Sequence, residues 1–241
     1  MPRGLRLCAL HLAVYLAFSS IYAAIPPPEV LFAEPAPPTP PPALTGMDDV
    51  SPSDWFYVYV RIGYRHGYLH GQEGNFEPSR DITWAEFITI LGRFHGALGG
   101  YVEYGNTFIG ADTYIPYLLW AMGLDIVTAE DAERFRPNDA IQRAEIAIIL
   151  MNYISAYNLY DHFLSQYEHH SENYADFIEI PAQARVAARL LRSFGIIQGV
   201  RSSADPPGVY RFEPFEHTLR SEAAVIFARM FVTIFDGTVA V

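Results

Sequence analysis

The chain contains the same unit three times, and no other feature limits its fold so strongly. Three segments carry Phe-x-Pro with a glutamate ten residues after the Phe: Phe76-Glu77-Pro78 with Glu86, Phe135-Arg136-Pro137 with Glu145, and Phe212-Glu213-Pro214 with Glu222. An apolar stripe follows each glutamate: Phe87, Ile90, Leu91, Phe94; Ile146, Ile149, Leu150, Tyr153; Ala223, Ile226, Phe227, Met230. Each set runs at i, i+3, i+4, i+7, which is one face of an amphipathic helix. A second helix is expected ahead of each Phe-x-Pro, ending at a glycine suited to a left-handed C-cap: Gly67, Gly123 and Gly195. The glycine-to-Phe spacing grows from unit to unit, so length variation falls in the loop between helices. One helix pair buries little surface alone, so the three units are expected to pack together.

Composition excludes several alternatives. Apolar residues make up 51% of the 241 and aromatics 15%, too many for a mainly disordered chain. A net charge of −11 argues against a basic nucleic-acid face. The single cysteine, Cys8, allows neither a disulfide framework nor a cysteine zinc site. Arg3 and Arg6, the apolar run from Leu7 to Phe18, and Ser19, Ser20, Ala23 and Ala24 read as a secretory signal peptide over 1–24. The rival is an uncleaved anchor, but the run is shorter than the ~20 residues a spanning helix needs. Residues 25–46 are proline-rich and read as an extended tether. The units then occupy 47–100, 101–160 and 172–236, with a polar connector at 161–171.

The first unit carries, in order, Asp49-Val50, Asp54-Trp55, Gly67-Tyr68-Leu69-His70-Gly71, Phe76-Glu77-Pro78 and Ile82-Thr83-Trp84-Ala85-Glu86. The second carries Phe135-Arg136-Pro137 and Gln142-Arg143-Ala144-Glu145. The third carries Asp176, Gly195-Ile196-Ile197-Gln198-Gly199, Phe212-Glu213-Pro214 and Leu219-Arg220-Ser221-Glu222. In these residues the three units resemble the S-layer homology (SLH) family. The resemblance implies a mainly α fold: three helix-loop-helix repeats in a pseudo-threefold bundle. Grooves between its repeats would bind a secondary cell-wall polysaccharide bearing ketal-linked pyruvate. By position it implies polysaccharide-binding roles for Asp54, Trp55, Gly67, Gly71, Arg143, Gly195, Gly199 and Arg220. Departures from the pattern are Trp84 at the arginine position, Val127 at a turn glycine, and Ala182 where a tryptophan would fall.

Physical chemistry gives each motif residue a reading of its own. An arginine fork donates two parallel hydrogen bonds to a carboxylate and stays charged. At a helix start, free amides and the dipole also favour an anion. The competing reading has Arg143 and Arg220 paired with nearby carboxylates or lying in solvent. Thr83 with Glu86 forms a capping-box pattern, so Glu86, Glu145 and Glu222 read as structural caps. Gln142 and Leu219 are poorer caps than threonine. The Phe of each Phe-x-Pro reads as a core plug. Trp55 reads as groove wall on the first helix, and Trp84 and Trp120 as packing residues. His169-His170 beside Glu168 and Glu172 could suggest a metal, but adjacent histidines in an acidic stretch are usually solvated. No catalytic motif, cofactor or metal site stands out.

The function expected is a non-catalytic anchoring module, secreted and held at a Gram-positive-type cell surface by a pyruvylated wall glycan. The alternative is a degenerate SLH scaffold that binds another envelope protein. Neither a nucleic-acid partner nor a membrane span after signal cleavage is expected.

Overall fold

The computed structural model describes residue 44 and residues 46–100, 114–164, 174–201 and 205–235. The signal-peptide segment, most of the proline-rich stretch and the His169-His170 pair lie outside the described residues.

The described chain is helical, with only isolated β-bridges. The first unit holds α1 (Tyr57–Arg65) and α2 (Trp84–Ala97). The second holds α3 (Ile115–Gly123), the short α4 (Ala129–Arg134) and α5 (Arg143–Ala156). A short α6 (Tyr160–Leu164) follows. The third unit has a 3-10 turn (Ala182–Ala184), then α7 (Arg185–Ser193) and α8 (Arg220–Ile234). The expected connector therefore begins as helix, and Phe163 in α6 is fully buried, its ring 5.2 Å from Phe194.

The helices close into a ring. α2 packs on α3, α5 on α7, and α8 on α1, so each unit's second helix meets the next unit's first helix and the third returns to the first. Backbone hydrogen bonds follow the same cycle. Trp84 N–H donates to Asp139 O at 3.0 Å, Arg143 N–H to Glu216 O at 3.0 Å, and Arg220 N–H to Arg80 O at 2.9 Å. One residue on, Ala85 donates to Pro137 O, Ala144 to Pro214 O and Ser221 to Pro78 O. The β-bridges Thr83–Ala140, Gln142–His217 and Asp81–Leu219 repeat the relation once more. These bonds satisfy the orphan amides at each second helix's start with carbonyls of the adjacent unit.

All twelve residues of the three apolar stripes are buried, none above 7% exposure. Along the common axis Phe94 meets Phe227 at 5.4 Å and Tyr153 at 6.1 Å. The Phe plugs hold for Phe76 and Phe212, whereas Phe135 is only half-buried. Asp49 accepts from the N–H groups of Phe76 and Glu77, and Asp176 from those of Phe212 and Glu213, all at 2.7–2.8 Å. Each carboxylate thereby holds the central residue of Phe-x-Pro in the left-handed region, with φ 58° at Glu77 and 55° at Glu213.

The structure corrects the sequence expectations first at the second unit's turn and then at Trp55. Gly123 is the last helical residue of α3, and the left-handed position after the helix is Asp125, with φ 53°. Asp125 matches Gly67 (φ 75°) and Gly195 (φ 71°) because the same bonds follow each. Tyr68 and Leu69 donate to Gly63 O, Ile126 and Val127 to Ala121 O, and Ile196 and Ile197 to Leu191 O. The residue at the second turn glycine is therefore Ala129, not Val127. Ala129 opens α4, which Thr128 caps, so this unit replaces a glycine turn with a helical one. Secondly, Trp55 precedes α1 rather than lying on it.

Candidate functional site

The glutamates begin the site. Thr83 Oγ1 accepts from Glu86 N–H at 3.3 Å, and Glu86 Oε2 accepts from Thr83 N–H at 2.9 Å, a complete capping box. Glu145 and Glu222 make the reciprocal bond to the N–H groups of Gln142 (2.8 Å) and Leu219 (3.0 Å). Leucine has no side-chain acceptor, so that helix start keeps half a box and gains the rest from the neighbouring unit's carbonyls.

Two of these glutamates also receive an arginine from the unit before. Arg143, buried, donates to Phe212 O at 3.0 Å, to Glu213 at 3.2 Å and to Glu222 at 3.3 Å. Arg220, also buried, donates from Nε to Phe76 O at 2.7 Å, from Nη1 to Glu86 at 2.7 Å and from Nη2 to His70 O at 3.3 Å. The equivalent position in the first unit is Trp84, whose ring packs edge-on against Phe135 at 5.7 Å. All three residues thus reach the next unit's Phe-x-Pro, two by hydrogen bonds and one by an aromatic face.

Glu86 has a second cation. Arg80 grips it from two nitrogens, at 2.6 and 3.0 Å. Burial alone would raise the Glu86 carboxyl, but the Arg80 bonds, the Thr83 N–H and the charges of Arg220 and Arg80 together hold it below the usual carboxylate range. Burial lowers the Arg220 guanidinium against the opposing pull of Glu86, and the like charge of Arg80 pushes the same way.

Two equivalent clefts form around these pairs. The larger, about 540 Å³, lies between the first and second units. It is lined by the His70-Gly71-Gln72 turn, by Thr83, Glu86, Thr89 and Arg93 along α2, by Tyr114, Pro137 and Asn138, and by Arg220. The smaller, about 160 Å³, lies between the third and first units. Its lining is the Ile196–Val200 turn, Glu222 and Arg229 of α8, Trp55 and Arg143. Each combines one unit's turn and second helix, a contribution from the next unit (Tyr114, Pro137 and Asn138 in the larger, Trp55 in the smaller), and the arginine of the preceding one. Volumes of ~300–1,000 Å³ are usual for small-ligand sites, a range only the larger cleft reaches.

The structure distributes the sequence-derived residues as follows. Gly71 and Arg220 line the larger cleft; Trp55, Arg143 and Gly199 line the smaller, where Trp55 is 65% exposed. Asp54, Gly67 and Gly195 line neither. Asp54 instead accepts from Ser51 N–H at 2.7 Å in the turn before α1. Gly71 and Gly199 have packing reasons of their own: an added Cβ would come within 2.7 Å of Gly46 O and of Arg211 O, respectively. Trp84 and Trp120 are buried, as expected of packing residues. Sequence reasoning missed Arg93 and Arg229, which stand seven residues after Glu86 and Glu222. That spacing turns them to the cleft side of each second helix, and the constant interval could have revealed them.

A ring of helix-loop-helix units with clefts at its seams defines a helical repeat module. A family model described as the S-layer homology domain matches residues 46–88 and 109–147, identifying two copies of that repeat in the chain. SLH repeats are non-catalytic scaffolds associated with the cell surface. No curated protein sequence matches the chain. Among the described residues no helix is long and apolar enough to cross a membrane, and no metal-holding cluster of His, Cys, Asp and Glu occurs.

Proposed function

We propose that the chain is a secreted cell-wall anchoring module with three SLH repeats, the third spanning 172–236. It binds a pyruvylated secondary cell-wall polysaccharide in its inter-repeat clefts. The observation that carries this reading is the larger cleft, where hydroxyl, amide and aromatic side chains surround two arginines. Thr83, Gln72 and Asn138 suit sugar hydroxyls, Tyr114 offers a ring face, and the guanidinium groups suit a carboxylate. The net charge of −11 opposes a polyanionic polymer at long range. Screening over ~8 Å at physiological salt confines that repulsion, so local cations decide binding. The test is retention of the whole chain on purified wall polymer before and after mild acid removes the ketal. Retention lost with the ketal supports the reading; equal retention on both overturns it.

A second reading, a scaffold for an envelope protein, draws on α3. Ile115, Leu119 and Met122 form an outward stripe at 36%, 48% and 36% exposure. It predicts that Leu119→Glu abolishes envelope association while polymer binding is untouched.

A further inference from the structure

The position seven residues after each glutamate holds Arg93, Asn152 and Arg229. Two of the three are tied to their own unit's turn in the same way. Asn152 Nδ2 donates to Ile126 O at 3.2 Å. Arg229 donates from Nη1 to Ile196 O at 3.2 Å and from Nη2 to Gln198 Oε1 at 3.3 Å. The matching acceptor for Arg93 would be Tyr68 O, and that bond is not made. Among the described residues Arg93 joins no hydrogen bond or ion pair, and its half-buried side chain lines the larger cleft.

Charge separates the two clefts further. In the larger, Arg93, Arg220 and the adjoining Arg80 stand against two carboxylates, Glu86 and the Glu77 that Arg80 also holds. In the smaller, Arg143 and Arg229 face Glu222, and Glu213 adds a second carboxylate on Arg143. Among the described residues the larger cleft keeps surplus positive charge and the smaller is balanced. Arg220 is the less available of the two, because its Nε, Nη1 and Nη2 each already donate a hydrogen bond. Among the described residues lining the larger cleft, Arg93 alone has no guanidinium donor already engaged and so offers a whole planar edge to a carboxylate.

We propose that the chain has one working glycan cleft, between its first and second units, and that Arg93 is the residue that selects the ligand's carboxylate there. This rests on the anchoring reading above and adds its valency and specificity residue. The neighbouring turn supports the placement. His70 reaches Gly67 O at 3.0 Å, and burial together with the Arg93 charge disfavours its protonation. An anionic ligand seated between Arg93 and Arg220 would offset that repulsion.

The experiment is calorimetric titration of the whole chain with a hexose monosaccharide bearing a pyruvate ketal, and with its methyl ester. One site per chain is expected, with no binding of the neutral ester. Arg93→Gln should weaken binding at least tenfold with an unchanged melting temperature. Arg189→Gln, which removes the same charge from an exposed position on α7, should leave binding within twofold. Two or three equal sites, undiminished binding by Arg93→Gln, or an equal loss in Arg189→Gln would overturn the inference. So would failure to bind the monosaccharide by a chain that still retains the polymer. Loss of both monosaccharide and ketal-dependent polymer binding would sink the anchoring reading itself.

Discussion

Arg143 and Arg220 link neighbouring units as well as lining clefts, and that double use decides what their removal does. Each donates to the next unit's Phe-x-Pro carbonyl and capping glutamate, so truncation leaves buried acceptors without donors. Breaking a buried pair costs ~3–5 kcal/mol, reduced here because Glu222 and Glu86 are over a quarter exposed. Arg143→Ala is expected to lower unfolding free energy by about 2 kcal/mol. Arg220→Ala should cost less, since Glu86 keeps Arg80. Urea titration of both variants checks the order, and a larger loss for Arg220→Ala would contradict it. The sequence showed an arginine beside a helix start and a glutamate two residues on. It could not show that the arginine's partner is the glutamate of another unit, 79 residues away for Arg143 and 134 for Arg220.

At the scale of elements, the helix ends divide between local chemistry and neighbours. Gly67 and Asp125 occupy the same left-handed position after α1 and α3. A Cβ at Gly67 meets nothing within 4 Å, so Gly67→Ala isolates the backbone cost, about 1 kcal/mol. Asp125→Gly should run the other way and stabilise by about 0.5 kcal/mol, after the added unfolded-state entropy is subtracted. Chemical denaturation midpoints report both, and opposite signs are the expected outcome. The apolar stripes of α2, α5 and α8 were legible because their period is that of the helix. Gly123 misled because a glycine near a helix end resembles a C-cap at one position as well as another. Only the paired bonds to Ala121 O identify Asp125 as the turn residue. α4 was not legible, since its six residues lie inside what read as a loop.

For the whole molecule, closure is the property with consequences. The Arg220 N–H to Arg80 O bond and the packing of α8 on α1 join the last unit to the first. A chain ended after residue 164 would expose the faces of α1 and α2 that α8 covers, and is expected to show no cooperative thermal transition by circular dichroism. A cooperative melt of that fragment would mean the first two units fold as an open row. Acid should also loosen the ring. His95 is buried beside Trp120 and Tyr157, with Nδ1 3.1 Å from Tyr153 Oη, and burial pushes its pKa down to about 4. The unfolded histidine near 6.5 binds protons more readily, so stability is greatest above that value and declines as pH falls from 6.5 towards 4. The loss is on the order of 2–3 kcal/mol across that window. Glu86, held low in the fold, adds a further decline at more acid pH as it protonates. Melting temperatures from pH 7.5 to 4 should fall in the natural chain and flatten in His95→Gln; identical slopes would remove His95 from the account.

The sequence by itself determined the repeated unit, the helices with a strong apolar period, and the capping glutamates. These depend on residues close along the chain, where spacing is geometry. Which arginine meets which glutamate, which cleft keeps room and surplus charge, and which of three equivalent side chains is left free were decided only when the units closed on one another. Those outcomes depend on contacts across the ring, and neighbouring residues in a sequence carry no record of what will face them there.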